Sequence, residues 1–179
     1  MTKKEIKNKV NQLLASGATK SSVFDQLSGQ GINDKQLAYI VASYASPDLT
    51  EQYASKVNTL ITLMFVQALL LFFVGYFIGA KIGPNAQWIV AVLSAAIPLL
   101  FAWGFYNNYV GAYNTYMLLY IVQFYRQFSG FMDSPVVSSI GLAIGLGMFA
   151  FVWYLQHKIF PDFNFISPKK VKGQYVFSD

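Results

Sequence analysis

From Leu60 to Ala80 the chain reads LITLMFVQALLLFFVGYFIGA, 21 residues without a charge. As a helix rising ~1.5 Å per residue it would cover roughly 31 Å, which matches the ~30 Å hydrocarbon core of a bilayer. No face of it is polar enough to meet water. The run is read as a membrane span, and it limits what the remaining residues can do.

Charge is placed accordingly. The chain is 55% hydrophobic and 12% charged, about half the ~25% charged residues of an ordinary soluble domain. Residues 57–156 hold only Lys81, Arg126 and Asp133, whereas the first 56 residues hold seven lysines and five acids. A polar head, a membrane body and a short basic tail are expected. The start MTKKEIKNKV is hydrophilic and no apolar core of a signal peptide follows it. Insertion is therefore expected to depend on residues 60–80 as an uncleaved anchor. The chain has no cysteine, which removes disulfides, thiolate catalysis and cysteine–metal sites.

In the head, Ile6, Val10, Leu13 and Leu14 form one stripe of a short helix that ends near Gly17. A second helix begins around Thr19 and carries Val23, Phe24 and Leu27 before Gly29 and Gly31. Asn33 or Asp34 can cap a third, with Leu37, Ile40, Val41 and Tyr44 on one side. Residues 1–46 are thus expected to form a small three-helix cytoplasmic bundle. A core of ~45 residues is thin, so the bundle should lean on other parts of the molecule or on a partner. Its helix–Gly loop–helix order occurs in packing domains, in protein-docking modules and in DNA readers. A DNA reader needs basic and polar groups at the start of its second helix. Here Asn33, Asp34, Lys35 and Gln36 set one lysine beside one aspartate, and nucleic acid is not the expected partner. Gly17-Ala18-Thr19-Lys20-Ser21 lacks the glycine that a phosphate loop needs before its lysine.

Ser46-Pro47-Asp48 opens the next helix, with residues 47–59 a stalk leading into the first span. The membrane domain is expected over residues 60–158, with spans at about 60–80, 86–106, 109–125 and 136–156. Trp88 and Trp103 suit the two interfaces of the second span, and Pro98 should bend it near Ser94. Tyr106–Tyr109 is the expected tight turn. The third stretch is short and holds Asn114 and Gln123, so a helix lying in the interface competes with a span. Arg126 and Asp133 flank the following loop, Ser134-Pro135 starts the last helix, and His157 with Lys158 marks its exit. Residues 159–179 read as a loosely ordered basic tail, with weak strand character over 171–177.

Two sets of residues carry what function is legible. Gly75, Gly79 and Gly83 recur every four residues, and on the last span Gly141 and Gly145, with the offset pair Ala143 and Gly147, repeat that spacing. Such spacing lets helices approach backbone to backbone in lipid. Gln67, Asn114 and Gln123, with the aromatic stripe Tyr113, Tyr116 and Tyr120, are the candidates to face a pathway or ligand. No ionisable group sits deep in a span, which argues against ion-coupled transport. One histidine and few acids argue against an enzyme, and no cofactor or metal site is expected.

Basic residues gather on the cytoplasmic side of a membrane. Four spans put eleven basic residues inside and only Lys81 and Arg126 outside; three spans would translocate the tail lysines. The expected object is an all-α polytopic membrane protein of the cell (inner) membrane, with four transmembrane helices and both termini cytoplasmic. Its expected role is a non-enzymatic assembly or adaptor subunit, packing with itself or with membrane and cytoplasmic proteins. A small oligomeric channel or transporter is the alternative, and a membrane-tethered DNA-binding regulator the third reading. Besides membrane lipids, its partners are expected to be a membrane or cytoplasmic protein or a second copy.

Overall fold

The computed structural model describes residues 2–129 and 135–178. Among these, seven helices run α1 (Lys3–Ala15), α2 (Lys20–Leu27), α3 (Asp34–Ala42), α4 (Pro47–Ala80), α5 (Ala86–Tyr106), α6 (Val110–Ser129) and α7 (Pro135–Ile159). Two small hairpins follow, β1 (Phe163–Asn164) with β2 (Ser167–Pro168) and β3 (Lys170–Val171) with β4 (Gln174–Tyr175). Asp133 and Ser134, named above for the last loop, lie outside the described residues.

The chain divides into two compact units. The first joins Met1–Gln52 to Trp153–Asp179, so it contains both ends of the chain. Local chemistry sets its helices. Thr2 and Glu5 form a reciprocal capping box at the start of α1, which satisfies two amides that a helix end leaves open. Thr19 and Asn33 cap α2 and α3 through their side-chain oxygens. Gly17, Gly29 and Gly31 take positive φ in the connections, a backbone region open to glycine and costly for most other residues. Ile6, Val10 and Leu14 of α1, Val23 and Leu27 of α2, and Leu37, Ile40 and Val41 of α3 share one buried cluster.

That cluster does not end with the N-terminal helices. Phe177, close to the C-terminus, packs against it. The residues expected to be a loosely ordered tail are instead built into this unit, with Phe160 and Phe163 fully buried. Aromatic spacing accounts for the difference. Phe163 meets Tyr39 edge-on at 5.3 Å, and Tyr175 and Phe177 bracket Phe24 at 5.6 and 5.4 Å. Lys172 and Gly173, both at positive φ, make the two-residue turn that matches the twist of a hairpin.

The second unit is Tyr53–Val152. Three helices are long and apolar enough to cross a membrane: Pro47–Ala80, Ala86–Tyr106 and Ser138–Ile159. Helix α6 has 20 residues, ~30 Å of rise, but Asn114, Thr115, Gln123 and Arg126 dilute its apolar character. Large side chains stand on the outer surface of this unit, among them Phe77 at 66% and Leu100 at 68% exposure. A water-soluble surface rarely keeps such a contiguous apolar patch; hydrocarbon covers it without penalty.

The expected glycine faces divide in two. A side chain on Gly79 would stand 2.5 Å from Gln87 Cα, and one on Gly75 would stand 2.9 Å from the Val90 carbonyl. These two glycines therefore bring α4 and α5 together within one chain. At Gly145 the obstruction is the Tyr120 ring, at 2.4 Å. Gly83 and Gly147 face open space. Gly104, which the four-residue spacing does not single out, would meet the Ala112 methyl at 2.5 Å beside the tight turn at Asn107 and Asn108. Gly79→Ala should therefore cost about 1–3 kcal/mol of stability from forced backbone movement. Gly147→Ala should be neutral or gain about 0.5–1 kcal/mol from helix propensity. Thermal unfolding in mild detergent measures both, and equal melting temperatures would contradict this assignment of contacts.

Candidate functional site

Two places in the structure gather polar chemistry. The first lies in the unit made from both termini. Lys20, at the start of α2, reaches Asp162 just after α7, with Nζ 2.6 Å from Oδ2. The side chains are 7% and 1% exposed. The second carboxylate oxygen of Asp162 accepts from the Ser178 backbone N–H at 2.5 Å. The Asp162 carbonyl accepts from the Lys169 N–H at 2.8 Å. One aspartate thus fastens α2, the single residue that joins β2 to β3 and the final residues of the chain. Nearby, Gln156 donates from Nε2 to the Phe165 carbonyl at 2.7 Å, which holds the β1–β2 turn to α7.

Neither Lys20 nor Asp162 was among the expected site residues. They are 142 positions apart, and no local pattern links them. The available signal was compositional: Asp162 is the sole acid between Asp133 and Asp179, set in an aromatic stretch.

The second place is a cavity of about 450 Å³ between α4, α5, α6 and α7, within the Tyr53–Val152 unit. Leu63, Leu70, Ile97, Phe101, Ile144 and Met148 supply much of its apolar wall. Gln67, Tyr116, Tyr120 and Gln123 bring polar atoms to it, and Pro98 lines it from α5. Four of the six residues expected to face a pathway or ligand therefore meet in one space. The other two do not line it. Tyr113 is fully buried, with its ring 4.7 Å from Phe105. Asn114 is buried as well, and its Oδ1 has no hydrogen-bond partner among the described residues.

The tyrosine stripe serves packing and lining together. Tyr116 stands edge-on to Phe101 at 5.2 Å and binds α6 to α5. Tyr120 stacks near Phe149 at 5.4 Å, and its hydroxyl points to the Leu142 carbonyl at 3.5 Å. Gly145 leaves the room that this ring occupies, and Gly141 also borders the cavity. No charged side chain lines the cavity among the described residues. Nor do these residues contain a group of three or more histidines, cysteines or acids able to hold a metal ion. The chemistry the cavity offers is amide and phenol hydrogen bonding inside an apolar wall.

No family model, curated protein or solved structure matches this chain.

The buried ion pair yields a direct test. Lys20→Met leaves the Asp162 carboxylate buried without its cation, a change that typically costs about 3–5 kcal/mol. Adding Asp162→Asn removes the stranded charge while keeping an oxygen for the Ser178 N–H, so the double variant should recover most of that loss. Melting temperature and the rate of tryptic cleavage after Lys169, Lys170 and Lys172 report both effects. A single variant as stable and as protease-resistant as the original chain would contradict the role assigned to the pair.

Proposed function

We propose that this chain is a four-span membrane protein with both termini in the cytoplasm, acting as a non-enzymatic assembly or adaptor subunit. The observation that carries the topology is the Lys20–Asp162 pair. Lys20 precedes the first apolar helix and Asp162 follows the last, yet the two share one buried contact. A folded unit stands on one side of a bilayer, so the chain between residues 52 and 153 crosses an even number of times. Three crossings are odd. Counting α6 with α4, α5 and α7 makes four, and the surplus of lysines on both terminal segments assigns that side to the cytoplasm.

Support for the adaptor role comes from how the terminal unit is built. A mere membrane anchor has no need of a capped, closed head with its own buried cluster. A module of fixed shape, pinned at both termini, offers a constant surface for another protein. On that surface α1 presents Lys3, Lys4 and Lys7, all exposed, a face suited to an acidic partner. Gly75 and Gly79 are occupied within the chain, so recognition is assigned to the head more than to those helix faces.

Single cysteines in this cysteine-free chain test the topology. Labelling with an impermeant thiol reagent from outside should occur at Asn85→Cys and Ser129→Cys, and be absent at Ser22→Cys, Asn108→Cys and Gln174→Cys. Outside labelling at Gln174→Cys without labelling at Ser22→Cys would contradict four spans. Purification of the full chain in mild detergent should bring down a stoichiometric protein partner, lost when Lys3, Lys4 and Lys7 are changed to glutamate. Solute flux through vesicles containing this protein alone, with no co-purifying partner, would overturn the adaptor role.

A further inference from the structure

We infer that the cavity between α4, α5, α6 and α7 is a binding site for a neutral lipid, a hydrocarbon chain ending in an ester or hydroxyl group. The inference is independent of the adaptor role proposed for the head.

Three observations converge on that chemistry. The size is right for a ligand: about 450 Å³ lies within the ~300–1,000 Å³ of ordinary small-molecule sites. The access is right for a lipid. Leu63, Val66, Leu70 and Leu119 line the cavity and are 38%, 51%, 61% and 43% exposed, so its wall is continuous with the outer apolar surface. A molecule can enter sideways from the bilayer without crossing water.

The polar inventory then selects the headgroup. The Gln67 and Gln123 amides and the Tyr116 hydroxyl border the cavity; Gln67 and Tyr116 are half-buried and Gln123 is exposed, so they open onto the cavity and the hydrocarbon around it. In hydrocarbon an unsatisfied amide is expensive, so these groups call for an occupant that brings oxygen atoms. Each amide can donate to an ester carbonyl and accept from a hydroxyl. The lining carries no charge among the described residues, which leaves a phosphate or a carboxylate without a counter-ion there. Water alone fits less well, because a buried water needs two to four polar partners and most of this wall is hydrocarbon.

The test uses the full chain reconstituted in phosphatidylcholine vesicles with a trace of diacylglycerol carrying a photoreactive acyl chain. After illumination, label should concentrate on peptides from α4 and α6 that include Gln67 and Gln123. Unlabelled diacylglycerol should displace it even though phosphatidylcholine is already in large excess. The pair Gln67→Leu with Gln123→Leu should reduce the displaceable label about tenfold, as expected for losing two modest hydrogen bonds. Val66→Trp, which fills the cavity from its open side, should do the same without touching the amides. Label spread evenly over outward residues such as Leu93 and Leu100, unchanged by competitor and by these variants, would mean solvation by bulk lipid only and would overturn the inference. So would amide variants that fold normally and retain full displaceable labelling. Should the amide pair fail to fold, displacement on the unaltered chain decides the matter alone.

Discussion

A single buried aspartate holds the two ends of this protein together. Asp162 engages Lys20 with one oxygen, the Ser178 backbone with the other and Lys169 with its carbonyl. Buried ion pairs add little net stability against a hydrophobic replacement, but they penalise any arrangement that leaves one partner alone. Their effect here is therefore selective. Any packing that keeps one partner buried without the other strands a charge, and detaching the tail adds a second penalty by exposing Phe24 and the tail's own aromatic rings. Residues on either side of the apolar helices cannot share a contact unless they share a compartment.

Between those ends, glycine and aromatic residues divide the work of packing helices where water exerts no hydrophobic drive. Gly75 and Gly79 permit the α4–α5 approach, Gly104 the α5–α6 turn, and Gly145 admits the Tyr120 ring. The larger side chains then cannot fill the space among all four helices. Tyr116 is drawn to Phe101 and Tyr120 to Phe149, each toward a different neighbour, and the cavity lies between them.

Much of the helical order could be read directly from the chain. Gly17 ends α1, Thr19 and Asn33 open α2 and α3, Pro47 opens α4, and the Tyr106–Tyr109 turn ends α5, because these signals act over a few residues. The grouping of Gln67 with Tyr116, Tyr120 and Gln123 was partly legible too, since unpaired polar groups on apolar helices tend to face inward. The ordered C-terminal segment was not. Its strands are two residues each, too short for any periodicity, and its stability comes from Tyr39, Phe24 and Lys20, more than a hundred positions earlier. Spacing also could not tell which glycines are used: Gly79 and Gly83 belong to one pattern, yet one meets Gln87 and the other meets nothing. Contact depends on where the neighbouring helix begins, which the repeat does not encode.

The join between the two ends is open to direct measurement in the membrane itself. Spin labels at Ser22 and Gln174, on α2 and β4 of the unit that holds both termini, can be read by pulsed dipolar spectroscopy on the full chain in lipid vesicles. One short, narrow distance distribution is expected, which broadens when Lys20 is changed to methionine. A separation at or beyond the ~30 Å thickness of the hydrocarbon core, or no defined distance at all, would contradict the join.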